Sequence, residues 1–253
     1  FKVAHIDKHR KGKRKLVATT DKQLVQQPTS FQNYADVFAQ LGYPINMDFT
    51  SIFPEEGGDL SSLPQEIFGV GENAISIDNK HITEPWIGIA PFAAHEGKIY
   101  PPQLMEKVIQ RLIHNHSHCH IFLFGGGDNE TPTLNEWAEK YPQVVNASAH
   151  LGGLAQELIL MSHLHVMISM DSANMHLASL VNTPVVSIWG ATHPYAGFMG
   201  WHQDPNNAVQ LDLPCRPCSI YGNKPCMRGD FACMKNISPE IVVEKVDGVL
   251  NKK

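Results

Sequence analysis

One stretch, His165 to Trp189, restricts the architecture more than any other part of the chain. His165–Met170 is a short apolar run, Asp171 and Ser172 are residue types that start helices, and Asn174–Val181 has apolar positions at helical spacing. Pro184 then stops the helix, and Val185–Trp189 is a second apolar, β-branched run. Two parallel strands joined by a crossover helix put the turns Asp171–Asn174 and Gly190–Pro194 at the same, carboxyl, edge of one sheet. Ligands bind at that edge in open α/β sheets.

The same alternation continues on the N-terminal side. Trp86–Ala90 reads as a strand, Pro101–His114 as a helix, and Ile121–Phe124 as a strand running into Gly125-Gly126-Gly127. Thr131–Tyr141 is helical, Val144–Ala147 a short strand, Gly153–Ser162 a helix, and Ala208–Leu213 one more strand. Ser238–Leu250 reads as a terminal helix capped by Ser238, with Pro239 at its first position. Strand and helix in regular alternation predict an α/β fold with a doubly wound parallel sheet.

Residues 1–84 are less regular. Ser30–Leu41 reads as a helix with Ser30 as N-cap, an apolar face of Phe31, Tyr34, Ala35, Phe38 and Leu41, and Gly42 as its stop. Pro44–Ser76 shows little periodicity, and the chain turns polar over Asn73–Pro85. The expected division is a partial N-terminal Rossmann-like domain over 1–84 and a C-terminal one over 85–253.

Of 253 residues, 43% are hydrophobic and 18% charged, a globular composition, and no apolar run is long enough to cross a bilayer. The net charge of −5 is uneven: residues 1–15 carry seven Lys/Arg and one acid, Asp7. Such a run can meet an anionic partner, a phosphate group or a membrane surface, or it can be a solvated face. Nucleic acid is not expected, because the rest of the chain is acidic and no aromatic residues are interleaved with the run. The opening Phe1-Lys2-Val3-Ala4 reads like an element already under way, so the expectation is a natural N-terminus further upstream.

Four loops should emerge at the ligand edge: Pro91–Pro101 with His95, Glu96 and Lys98; Gly125–Glu130; Ala147–Gly153; and Asp171–Asn174. A lysine, an acid after glycines and a helix N-terminus together suit a nucleoside diphosphate. The N-terminus offers N–H groups and a positive dipole, the lysine a point charge, and the carboxylate two acceptors for ribose hydroxyls. Taken singly, Lys98 reads equally as a surface lysine, Gly125–Gly127 as a turn, Asp171 and Ser172 as an N-cap, and His176 as an interior histidine. No GxGxxG follows a strand, which disfavours an NAD-type oxidoreductase.

The run Asp171-Ser172-Ala173-Asn174-Met175-His176-Leu177-Ala178, with Thr183-Pro184 and Gly190-Ala191-Thr192-His193-Pro194, resembles the signature of glycosyltransferase family 9, the bacterial heptosyltransferases of lipopolysaccharide core. Lys98-Ile99-Tyr100-Pro101 is similar to the family's Lys-x-Trp-Pro motif, and Gly125–Glu130 to its glycine-then-Glu motif. Cys215-Arg216-Pro217-Cys218, with Cys226 and Cys233-Met234, is similar to a cysteine-bearing loop in part of the family. The resemblance covers roughly Trp86 to Leu250. It implies a GT-B architecture of two Rossmann-like domains, the N-terminal one incomplete here, and inverting, metal-independent transfer from an ADP-sugar, with no cofactor required.

By position, the resemblance gives Lys98 the donor phosphate or sugar, Glu130 the ribose, Asp171 the donor sugar, and Ser172 and Ala173 the phosphate. His176 would brace that turn, and His150–Gly152 would pass near the nucleobase. The acceptor would be a lipopolysaccharide core or another lipid-linked glycan, in the cytoplasm and peripheral to the inner membrane of a Gram-negative bacterium. The catalytic base would lie upstream of Phe1, so none is nominated in the chain. Three positions depart from the family pattern: Ala173 stands where glycine is usual, Ala93 and Ala94 where some members have threonine, and Tyr100 where tryptophan is usual. A sugar-nucleotide-binding or zinc-binding module without catalysis is the alternative.

Cys215, Cys218, Cys226 and Cys233 offer four thiols, the number a tetrahedral zinc needs. Reduced cysteines packing a loop, or disulfides, are the other readings. Cys119 reads as a small core residue, and His114, His116, His118 and His120 as loop and strand-edge residues rather than metal ligands.

Overall fold

The alternating apolar runs are strands of one all-parallel sheet. A computed structural model describes residues 1–69, 75 and 84–252. Among them are β1 (Trp86–Ala90), β2 (His120–Leu123), β3 (Val144–Asn146), β4 (Val166–Met170), β5 (Val185–Ile188) and β6 (Ala208–Val209), in the order β3-β2-β1-β4-β5-β6. The order reverses between β1 and β4, which pair in parallel from Ile87↔Val166 to Ala90↔Ser169. That reversal opens a crevice at the carboxyl ends of β1 and β4.

Side-chain alternation decides what covers each face. Ile87, Ile89, Ile121, Leu123, Val166 and Ile168 point to one side, against α3 (Pro102–Asn115), α4 (Thr131–Lys140) and α9 (Pro239–Leu250). Trp86, Phe122, Met167 and Val185 point to the other, against α6 (Leu154–Ser162) and α7 (Ala173–Leu180). With both faces covered, the strands are apolar throughout, as parallel strands are.

Several boundaries differ from the sequence reading. The strand expected over Ala208–Leu213 is only Ala208–Val209, and Ala147 is not strand but opens α5 (Ala147–His150). A short α8 (Ala232–Lys235) precedes α9, where Ser238 occupies the N-cap position but its side chain makes no capping bond.

Two helices precede the sheet, α1 (Arg10–Leu16) and α2 (Ser30–Leu41). The cap of α2 is Thr29, not Ser30: Thr29 Oγ1 accepts from the Gln32 N–H at 3.1 Å. Its expected apolar face is also only partly used. Tyr34 and Phe38 are exposed, whereas Asn33 is buried and bonded at 2.8 Å to His9 Nε2. The described part of 1–69 contains no strand and lies against the sheet unit. Ser30 N donates to Gly197 O, Ile52 N to Leu180 O, and Leu60, Leu63, Ile67 and Phe68 join the core beneath α6. The polar boundary expected over Asn73–Pro85 lies largely outside the described residues.

Candidate functional site

The crevice between β1 and β4 contains a cleft of about 570 Å³. Lys98, Glu130, Asp171, Ser172, Ala173 and His176, the six residues singled out in the sequence, all line it. Phe92, Ala93 and Ala94 contribute the β1 side, while Phe198 and Tyr221 form an aromatic wall with ring centroids 5.6 Å apart. His95, Glu96 and the segment 147–153 do not line it. In that segment the chain coils into α5, and Gly152 N is held by Gln156 Oε1 at 2.6 Å.

Lys98 and Asp171 define the floor. The Lys98 ammonium lies 3.0 Å from Asp171 Oδ2 and donates to the Asp171 carbonyl at 2.8 Å. Their side chains are only 17% and 6% exposed. The contact with Oδ2 is ionic in geometry, and that buried oxygen accepts no hydrogen bond. Among the described residues its charge is met by the Lys98 ammonium alone. Ser172 is the N-cap residue of α7, yet its hydroxyl turns to Ser169 Oγ at 3.2 Å and does not cap. The first N–H groups of α7 thus have no side-chain partner at the end where an anion is favoured.

Glu130 and His176 complete the rim. Glu130 Oε2 accepts from Gly126 N at 2.9 Å, which fixes the carboxylate at the start of α4. Burial holds the His176 imidazole below its usual pKa; Asp171 pulls it up and Lys98 down. Its ring meets Phe31 of α2 edge-on at 6.3 Å.

Lys98 is held from behind by the cysteine-bearing loop. Gly222 of that loop has φ +78°, and a Cβ there would come within 2.6 Å of Lys98 Cγ. Only glycine allows that backbone to lie along the lysine stem. The turn carrying Lys98 is fixed by Ala191 N donating to Gly97 O at 2.8 Å. At Gly190 a Cβ would lie 2.6 Å from the same oxygen. Arg216, which the sequence reading did not single out, organises this region. Its buried guanidinium donates to the carbonyls of Gly190, Leu211 and Thr192 and to Gln210 Oε1. A charged residue between two cysteines was its only sequence signal.

All four cysteines of the loop line one cavity of about 210 Å³ and are unpaired. No group of three or more His, Cys, Asp or Glu among the described residues is arranged to hold a metal ion. Burial pushes the Cys233 thiol up to about 11. Cys119 is fully buried in the core. The alternating histidines separate onto different partners: His116 bonds Asp247 at 2.8 Å and His120 bonds Glu84 at 2.8 Å.

Residues 7–225 match the sequence profile of glycosyltransferase family 9 (heptosyltransferase). The chain belongs to that family. Lipooligosaccharide heptosyltransferase 2 of Campylobacter jejuni is 29% identical over 144 residues, 54% of this chain and 43% of that protein. The chain thus matches less than half the length of this relative. Among solved structures, a family 9 glycosyl transferase from Veillonella parvula aligns with TM-score 0.61 and 19% identity, over 90% of this chain and 61% of that one. Heptosyltransferase WaaC of E. coli with ADP aligns with TM-score 0.54 and 16% identity, over 90% and 58%. At such identities the likeness concerns the fold, which is the GT-B type of these glycosyltransferases. No helix among the described residues is long and apolar enough to cross a membrane.

Proposed function

We propose that this cleft takes the nucleoside-diphosphate part of an ADP-sugar, and that the protein transfers heptose from it to a lipopolysaccharide core or related lipid-linked glycan. The observation that carries this reading is the meeting of Lys98, Asp171 and the uncapped start of α7 at the strand-order reversal. Lys98 and the N–H groups at Ser172 and Ala173 take the phosphates. Glu130 accepts from the ribose hydroxyls. The Asp171 carboxylate, whose Oδ2 lies against Lys98, accepts from a hydroxyl of the donor sugar through its other oxygen. His176, kept neutral by burial, packs the turn without adding charge.

In this reading the reaction is a single displacement with inversion. The acceptor hydroxyl loses its proton to a base and its oxygen attacks the anomeric carbon. The bond from that carbon to the diphosphate breaks, and ADP departs. Lys98 and the α7 N–H groups take up part of the charge that develops on the leaving oxygen, and the step is read as metal-independent. No residue of the chain is assigned as the base. Residues 85–253 form the donor domain, and 1–84 belong to the acceptor side. The exposed basic residues within 1–15 face anionic groups at the cytoplasmic membrane surface.

The test is mass spectrometry of the lipopolysaccharide core from a strain lacking the gene. A core short of a heptose supports the reading. An unaltered core beside retained ADP binding points instead to a sugar-nucleotide-binding protein without this transfer.

A further inference from the structure

The cleft as described is short of positive charge for the ligand proposed. Its charged side chains are Lys98, Glu130 and Asp171, and the one cation is already in contact with Asp171 at 3.0 Å. A diphosphate diester carries a negative charge on each phosphate. One lysine, already shared with Asp171, and a helix N-terminus leave that charge partly uncompensated.

A second cation stands beside the cleft. The Lys13 ammonium lies 4.4 Å from the ring centroid of Phe198, which with Tyr221 forms the aromatic wall. Of the seven basic residues within positions 1–15, Lys13 alone is half-buried; the other six are exposed. Among the described residues no carboxylate lies within ion-pair distance of it, and burial is the sole influence on its pKa, a lowering one. Its helix is anchored. Leu16 is fully buried, and a Cβ on Gly12 would lie 1.9 Å from Gln27 Oε1. Gln27 N in turn donates to Tyr195 O at 2.8 Å.

A partly desolvated ammonium with no carboxylate beside it, held only by an aromatic ring, is free to pair with an anion that enters the cleft. We propose that Lys13 is a second donor-binding cation, which swings from the Phe198 ring onto the diphosphate of the bound sugar nucleotide. This rests on the nucleotide reading of the cleft and adds α1 to the donor site, although the other donor residues all follow Trp86 in the chain. A lysine stem can make the move by rotamer change alone, with its backbone fixed in the helix.

The test is calorimetric titration of ADP, inorganic pyrophosphate and adenosine into the wild-type chain and the variants Lys13→Met, Lys13→Arg and Lys11→Met. Methionine keeps the apolar packing on Phe198 without the charge, so loss of binding is not loss of fold; the circular dichroism melt checks this. The expected result is about a tenfold weaker ADP affinity for Lys13→Met, the scale of one charge-assisted contact. Lys13→Arg should recover most of it, Lys11→Met should match the wild type, and adenosine should be unaffected. Equal ADP affinity in Lys13→Met and wild type, with binding still dependent on Lys98, overturns this proposal and leaves the cleft reading standing. No binding of ADP or pyrophosphate by the wild type overturns both.

Discussion

Lys98 and Asp171 meet across the point where the strand order reverses, with Nζ 3.0 Å from Oδ2 and 2.8 Å from the carbonyl of the same residue. The lysine follows β1 and the aspartate follows β4, so their contact floors the crevice that the topology opens. Replacing Asp171 by Asn keeps the shape and removes the counter-charge from a mostly buried ammonium. Stability should fall on the order of 2 kcal/mol, less than for a fully buried pair because Lys98 still reaches solvent. Urea denaturation at neutral pH measures this, and unchanged stability would mean the pair is only a surface contact.

Gly222 holds Lys98 by lying along its stem. Gly222→Ala puts a methyl 2.6 Å from Lys98 Cγ and forces a side chain into left-handed backbone at φ +78°. The backbone strain alone is about 1 kcal/mol. ADP affinity should drop several-fold as the lysine is displaced. A variant that melts lower but binds ADP as well as the wild type would separate the loop from the site.

Arg216 spends its donors on three backbone carbonyls and Gln210. Arg216→Met leaves those acceptors buried without partners, a loss of about 3 kcal/mol or more. The melting temperature should fall sharply, and protease should cut first in the loop that contains the cysteines.

His193 gives the fold an acid-sensitive joint. Burial first, and Arg216 second, lower its pKa to about 4 against Asp212, and its Nδ1 accepts from Tyr195 N at 3.1 Å. Between pH 6.5 and about 4 the unfolded chain binds a proton that the folded chain does not. The contribution is therefore complete above pH 6.5 and is lost as pH falls toward 4. His193→Gln should flatten stability against pH in that window, as read by thermal melts at stepped pH. An unchanged slope would assign the acid sensitivity elsewhere.

Much of this was legible because the sheet is buried on both faces. Each strand is then a short apolar run with few competing readings, and β1, β4 and β5 fell within a residue or two of expectation. Lys98, Glu130 and Asp171 were legible because parallel topology sends the loops after β1, β2 and β4 to one edge. Phe198 and Tyr221 were not, since each arrives from a long loop and carries no periodicity to say which way it points. Tyr34 and Phe38 were misread for the opposite reason. Helical spacing marks an apolar face, but the bond from His9 to Asn33 turns a polar position inward instead. Ala208–Leu213 kept its apolar residues without staying a strand, because the Leu211 carbonyl is taken by Arg216.

If Lys98 belongs to a diphosphate site, titration of ADP into the wild-type chain and into Lys98→Met separates the two proteins. The expected result is saturable one-to-one binding by the wild type, weaker at higher salt as screening grows, and no measurable binding by Lys98→Met in a protein that still folds. Equal binding by the two proteins, or none by the wild type, would contradict it.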